Sequence, residues 1–113
     1  MAEDCLFCRI IRGDIPAKLV AQTDNCVAFR DIDPRAPTHV LVVPRAHVTG
    51  LSHVHDPAVV GQMALLAAEI AAAEGVADSG YRTVINTGPD AGQSVAHLHM
   101  HLLGGRALGW PPG

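Results

Sequence analysis

Three of the seven histidines in this 113-residue chain stand at every second position near its end: His97, His99 and His101, in VAHLHMHLLGG. Alternate side chains of an extended segment project to one face, so the spacing predicts a row of three imidazoles. Ala96, Leu98, Met100 and Leu102 between them would form an apolar face able to pack on a helix. An imidazole at such a position loses solvation with no packing gain over Val or Thr, so three in register point to a site. A row of nitrogen bases can bind a metal, attack an electrophile or hold an anion. Just upstream lie Gly88, Gly92, Gln93 and Ser94, and glycines let backbone amides approach a ligand closely. Amides and a hydroxyl beside imidazoles suit a phosphate. A neutral imidazole is a competent nucleophile toward phosphorus near pH 7. A second, protonated one can neutralise phosphoryl oxygens or assist a leaving group. A separate feature is Cys5-Leu6-Phe7-Cys8, which has the spacing of half a zinc site and also suits two small residues on a short helix.

The elements that must position these residues follow from pattern. Asp4–Arg12 predicts a short helix with Asp4 as N-cap and Gly13 as its stop. Lys18–Gln22 and Cys26–Asp31 predict a hairpin around Thr23-Asp24-Asn25. Thr38–Pro44 is β-branched and apolar on both faces, which predicts a central strand. Asp56 followed by Pro57 marks a helix start. Val59, Val60, Met63, Leu66, Ala67 and Ile70 then recur at the helical period up to Gly75. Tyr81–Thr87 and Val95–Leu103 complete about five strands. The expectation is one α+β domain over residues 1–113: a mostly antiparallel sheet, one long helix and a short N-terminal one. His53 and His55 read as solvated residues before the long helix.

Composition narrows the class. Apolar residues make up 49% and charged residues 17%, as in a globular chain, and a net charge of −3 argues against nucleic acid as a partner. No run approaches the roughly 20 apolar residues of a membrane span. The acidic start MAEDCLFCRII does not resemble a signal peptide, so the expected location is cytoplasmic. Three cysteines, an odd number, do not suggest a disulfide framework.

The segment His97–Leu103 is similar to the His-φ-His-φ-His-φ-φ signature (φ apolar) of the histidine triad (HIT) family. DIPAK, AFRDIDPRAPTHVLVVP, GYRTVINTGPDAGQSVAHLHMHLLGGR and the terminal WPPG resemble its Hint-like branch of purine nucleoside phosphoramidases. The resemblance covers nearly the whole chain. It implies a HIT-like fold and hydrolysis of the P–N bond of purine nucleoside 5′-phosphoramidates through a nucleotidyl-histidine on His99. It also implies that His101 lies against the phosphate and assists the leaving group, that His39 supports the site, and that Gly92, Gln93 and Ser94 form the phosphate loop. Asn86 would contact phosphate or ribose, and Asp31 the ribose hydroxyls with Ile32 beside it. Phe7, Ile10 and Phe29 would form the base slot. The alternatives are a dinucleoside polyphosphate hydrolase, a nucleotide-binding regulatory module, and a zinc protein in which the row only chelates metal.

Several bacterial HIT proteins and the galactose-1-phosphate uridylyltransferases pair such cysteines with two histidines. That resemblance implies a structural Zn2+ on Cys5, Cys8, His47 and His97, with no cofactor needed for catalysis. Trp110-Pro111-Pro112-Gly113 is a rigid apolar tail with the chain's only tryptophan. In Hint-like proteins that segment reaches the partner's active site, which implies a homodimer.

Overall fold

Every residue of Thr38–Pro44 is buried, and the other elements are arranged around that strand. The computed structural model describes residues 3–113. In chain order it contains α1 (Leu6–Arg12), β1 (Leu19–Gln22), β2 (Cys26–Arg30), β3 (Thr38–Pro44), α2 (Pro57–Ala73), β4 (Tyr81–Val84) and β5 (Met100–Gly104). A single 3-10 turn, Leu51–His53, precedes α2. The strands form one sheet in the order β1-β2-β3-β5-β4, every neighbouring pair antiparallel. This is the α+β arrangement expected from the sequence, with β3 at its centre.

Alternation along the strands sorts side chains onto two faces. Cys26 and Ala28 of β2, Val40 and Val42 of β3, and Met100 and Leu102 of β5 join Met63, Leu66 and Ile70 of α2 in one core. Val27, Phe29, Leu41 and Val43 face the other way and meet Phe7 and Cys8 of α1. Met63 is fully buried in the first core, where truncation to Ala would cost about 2–5 kcal/mol. Asp56 caps α2 as expected, accepting from the Ala58 amide at 2.9 Å, with Pro57 as first helical residue.

The two helices differ in reach, and this makes room for a site. At 1.5 Å per residue, the seven residues of α1 span only about 10 Å, so part of its sheet face stays uncovered. α1 stops at Gly13, whose φ of +84° is the left-handed conformation that glycine takes without strain. Its N-cap is Cys5 rather than Asp4: the Cys5 sulfur accepts from the Cys8 amide at 3.4 Å.

β5 is shorter than the alternation predicts, beginning at Met100 instead of Val95. Upstream of Met100 the chain leaves the β3 ladder. The Leu98 amide turns to the Val48 carbonyl at 2.6 Å, and the His97 side chain takes the Pro44 carbonyl at 2.8 Å. Ala96 is consequently exposed rather than part of the apolar face, while Leu98 is buried in the α2 core. β4 likewise ends at Val84, three residues before the expected Thr87.

Candidate active site and metal centre

The uncovered part of the α1 face is a cleft of about 340 Å³, within the range of small-molecule sites. Phe7 and Ile10 of α1 line one side, and Phe29, Asp31 and Ile32 at the end of β2 line another. His99, His101 and Ser94 complete it. Residues 70 positions apart in sequence thus share one wall. Ile15 and Leu41 also border the cleft, and reading the sequence had not singled them out. In the sequence Ile15 stands out only within DIPAK, and Leu41 only as one apolar residue of an all-apolar strand. A larger, shallower hollow of about 620 Å³ adjoins the cleft across Asp31 and Ile32, with His39 in its wall. The cleft is the candidate site because the imidazoles of His99 and His101 open into it.

Phe7 and Phe29 are buried and meet edge to face at 5.4 Å, whereas Ile32 is 99% exposed at the rim. Ser94 borders the cleft from the glycine loop. Asn86, Gly92 and Gln93 are not among the described residues lining it. Gln93 is occupied in holding the loop: its Oε1 accepts from the Gly88 amide at 3.0 Å, and its Nε2 donates to the carbonyls of Thr49 and Val95. Gly92, at φ +80°, turns the loop. His53 and His55 are exposed, as expected.

Backbone groups settle the proton positions in the row, because a carbonyl only accepts and an amide only donates. His99 is buried, with Nδ1 2.7 Å from the His97 carbonyl. That nitrogen therefore carries the proton, and Nε2 holds the lone pair of a residue that lines the cleft. His97 is also buried, and its Nε2 donates to the Pro44 carbonyl at 2.8 Å, leaving the lone pair on Nδ1. Burial, more than any neighbour, pushes the His97 pKa below the usual histidine value.

His39 and His101 form a third arrangement. The Arg35 amide donates to His39 Nδ1 at 3.0 Å, and His39 Nε2 lies 2.9 Å from His101 Nδ1. Asp31 Oδ2 approaches the same His39 nitrogen at 3.4 Å, while its Oδ1 accepts from the Asp33 amide. Both imidazoles are held below the ordinary histidine range, His101 at about 4, chiefly because they are buried.

Cys5, Cys8, His47 and His97 converge beside this row, their ligand atoms all within 4.8 Å of one another. Three of the four residues are buried. Tetrahedral zinc with its usual bond lengths sets ligand–ligand separations of roughly 3.3–3.8 Å. The contacts Cys5 Sγ–His97 Nδ1 (3.3 Å), Cys8 Sγ–His47 Nδ1 (3.4 Å) and Cys8 Sγ–His97 Nδ1 (3.6 Å) match that spacing. The His97 lone pair faces both sulfurs, and its other nitrogen is anchored on a carbonyl, as metal-bound histidines usually are. These four residues fit a zinc ion. The remaining cysteine, Cys26, lies in the α2 core, where burial pushes its thiol pKa up.

Asp31, His39 and His101 also lie with one ligand atom each within 4.8 Å. Their chemistry differs. With Nδ1 accepting from the Arg35 amide, a neutral His39 must carry its proton on Nε2, the very atom that would have to ligate.

A five-stranded antiparallel sheet carrying alternating histidines beside an apolar cleft defines a recognisable class. The HIT domain family model matches residues 12–108, and the chain belongs to that family. It is 49% identical to the purine nucleoside phosphoramidase of Escherichia coli K12, over 96% of this chain and 93% of that protein. An uncharacterized HIT-like protein of Synechococcus elongatus is 52% identical over the whole of both chains. Among solved structures, a HIT family hydrolase from Legionella pneumophila superposes with a TM-score of 0.95 at 46% identity, covering 97% of this chain and 100% of that one. A histidine triad protein from Clostridium difficile gives 0.93 at 39% identity, covering 96% of each.

Proposed function

We propose that this protein hydrolyses the P–N bond of purine nucleoside 5′-phosphoramidates, with His99 as nucleophile. The observation that carries the reading is the orientation of His99. Its Nδ1–H is held by the His97 carbonyl, so its Nε2 lone pair is available at the cleft without prior loss of a proton. In-line attack by Nε2 on the α-phosphorus forms the N–P bond as the leaving amine departs. The positive charge of the nucleotidyl-imidazole is stabilised by the same carbonyl. Water then hydrolyses that intermediate. His101 would hold a phosphoryl oxygen, Ser94 and the Gly92–Gln93 loop would supply further donors, and His39 would support His101. The Phe7–Phe29 pair and Ile10 would receive the base, Ile32 would close on it from the rim, and Asp31 would accept from the ribose hydroxyls. Asn86 is assigned a phosphate or ribose contact on the family resemblance alone. The name of the E. coli relative supports the P–N bond as the target.

Cys5, Cys8, His47 and His97 would hold zinc as a structural ion. Held there, these residues would tie α1 to the segment leading into β5, and metal binding would be coupled to folding. The exposed Trp110 supports the expectation of a homodimer with the tail at the partner's cleft.

Rapid quenching with a labelled adenosine phosphoramidate tests the mechanism. A covalent nucleotide on His99 that turns over at the steady-state rate is expected, together with faster hydrolysis than of a diadenosine polyphosphate. Binding with no covalent species would replace the enzyme reading with that of a nucleotide-binding module. Preference for the polyphosphate would change the leaving group and keep the nucleophile.

A further inference from the structure

We propose that His101 meets the substrate as an uncharged imidazole donating its Nε2–H, and that the Arg35 backbone amide, acting through His39, sets that polarity. The inference deepens the hydrolase reading above and rests on it for its consequence, though not for its geometry.

The chain of contacts has one consistent set of protons. The Arg35 amide can only donate, so His39 Nδ1 accepts it. A neutral His39 then has its single proton on Nε2, which faces His101 Nδ1 at 2.9 Å. His101 Nδ1 must accept, which leaves the His101 proton on Nε2. That nitrogen is on the far side of the ring from His39 and has no hydrogen-bond partner among the described residues, and His101 lines the cleft. The reverse polarity would require His39 to accept at both nitrogens, which only an imidazolate does. A cationic His101 would put two N–H groups face to face at 2.9 Å.

The surroundings agree. His99 and His39 face His101 and oppose a charge on it, as does burial, while Asp31 is the one group that favours it. His39 itself is faced by Asp31, Asp33 and Arg35. Asp31 Oδ2, 3.4 Å from His39 Nε2, is a second acceptor for the proton already assigned there, so it reinforces the chain. Arg35 therefore acts as a positioning residue through its backbone, whatever its side chain.

The consequence concerns the leaving group. A neutral His101 has a hydrogen bond to give and no proton to spare. In the P–N cleavage step, His99 Nε2 forms the new N–P bond, and the electron pair of the breaking bond returns to the amine nitrogen. With His101 uncharged, that nitrogen takes its proton from solvent water and departs as a neutral amine, and the hydroxide left behind balances the water consumed when the nucleotidyl-histidine is hydrolysed. His99 keeps its Nδ1 proton throughout.

Nitrogen-15 NMR of histidine-labelled, metal-loaded protein without substrate tests the assignment. At pH 7 His101 is expected to show a protonated Nε2 and an acceptor Nδ1, with a scalar coupling across the His39 Nε2–H···Nδ1 contact. His101 should stay neutral down to about pH 5, consistent with titration at about 4. In His39→Ala it should titrate closer to the ordinary histidine value, and His39→Gln, which restores an N–H donor, should move it back down. A merely structural role for His39 would leave the titration unmoved. A doubly protonated His101 at pH 6–7, or a proton on its Nδ1, overturns the proposal. Because no substrate is present, that failure is separate from a failure to trap nucleotide on His99.

Discussion

Two groups of side chains in this protein satisfy the same distance criterion and are built on opposite principles. Cys5, Cys8, His47 and His97 aim lone pairs at a common point, with the His97 proton turned away onto the Pro44 carbonyl. Asp31, His39 and His101 are as close together but line up head to tail, from the Arg35 amide toward the cleft. One group converges on a point that a cation would fit. The other passes a hydrogen-bond direction along. The difference lies in which backbone group each imidazole touches, so proximity of donor atoms alone does not define a metal site.

The largest expected effect lies between the two groups. His99→Ala should lower turnover by about three orders of magnitude or more while changing AMP affinity only a few-fold, as measured by single-turnover kinetics and calorimetry. Wild-type turnover in that variant would remove the mechanism.

Metal analysis separates the groups directly. Untagged protein should carry about one zinc per chain, lost in Cys8→Ser together with about 10 °C or more of thermal stability. His39→Ala and His101→Ala should keep the full equivalent. Zinc lost from these two variants as well would merge the clusters into one site.

His101→Ala removes one donor from the cleft and should lower kcat by about 100-fold, less than His99→Ala because water partly replaces the contact. A smaller effect is the pH dependence of stability. The folded pKa of His101 is depressed to about 4 from an unfolded value near 6.5, so the unfolded chain binds the proton first. This contribution is complete above about pH 6.5 and is lost as the pH falls toward 4. Calorimetric melting points from pH 8 to 4 should show that slope, and His101→Asn should reduce it, leaving the part due to His39 and His97.

Truncation before Trp110 is expected to change stability least. The indole is 81% exposed, with Arg82 6.0 Å from its ring as its main neighbour. Substrate selectivity should shift, and sedimentation should report a dimer for the full chain. A strictly monomeric full chain would rule out the shared-site assembly.

Much of this architecture follows from local physics and is legible in the chain itself. The apolar run Thr38–Pro44 can satisfy both its faces only at the centre of a sheet, and it is buried there throughout. Asp56-Pro57 starts α2, Gly13 stops α1, and the 3.6-residue period selects Met63, Leu66 and Ile70 for the core. Period-two alternation assigns Leu98, Met100 and Leu102 to the α2 side and the histidines to the other. Only the tertiary structure shortens β5 at Met100, because the ladder ends where the Pro44 carbonyl goes to the His97 ring and the Leu98 amide to Val48. Likewise, Cys5 caps α1 in place of Asp4, and Ile32 stands exposed at the rim of the cleft. Above all, the same residue type makes three different hydrogen-bonding arrangements in one row. Spacing puts the imidazoles on a common face, but each proton is placed by a different partner: the distant Pro44 carbonyl for His97, the neighbouring His97 carbonyl for His99, and the distant His39 with the Arg35 amide for His101. A tautomer is a property of contacts, and two of these four contacts join residues more than 50 positions apart.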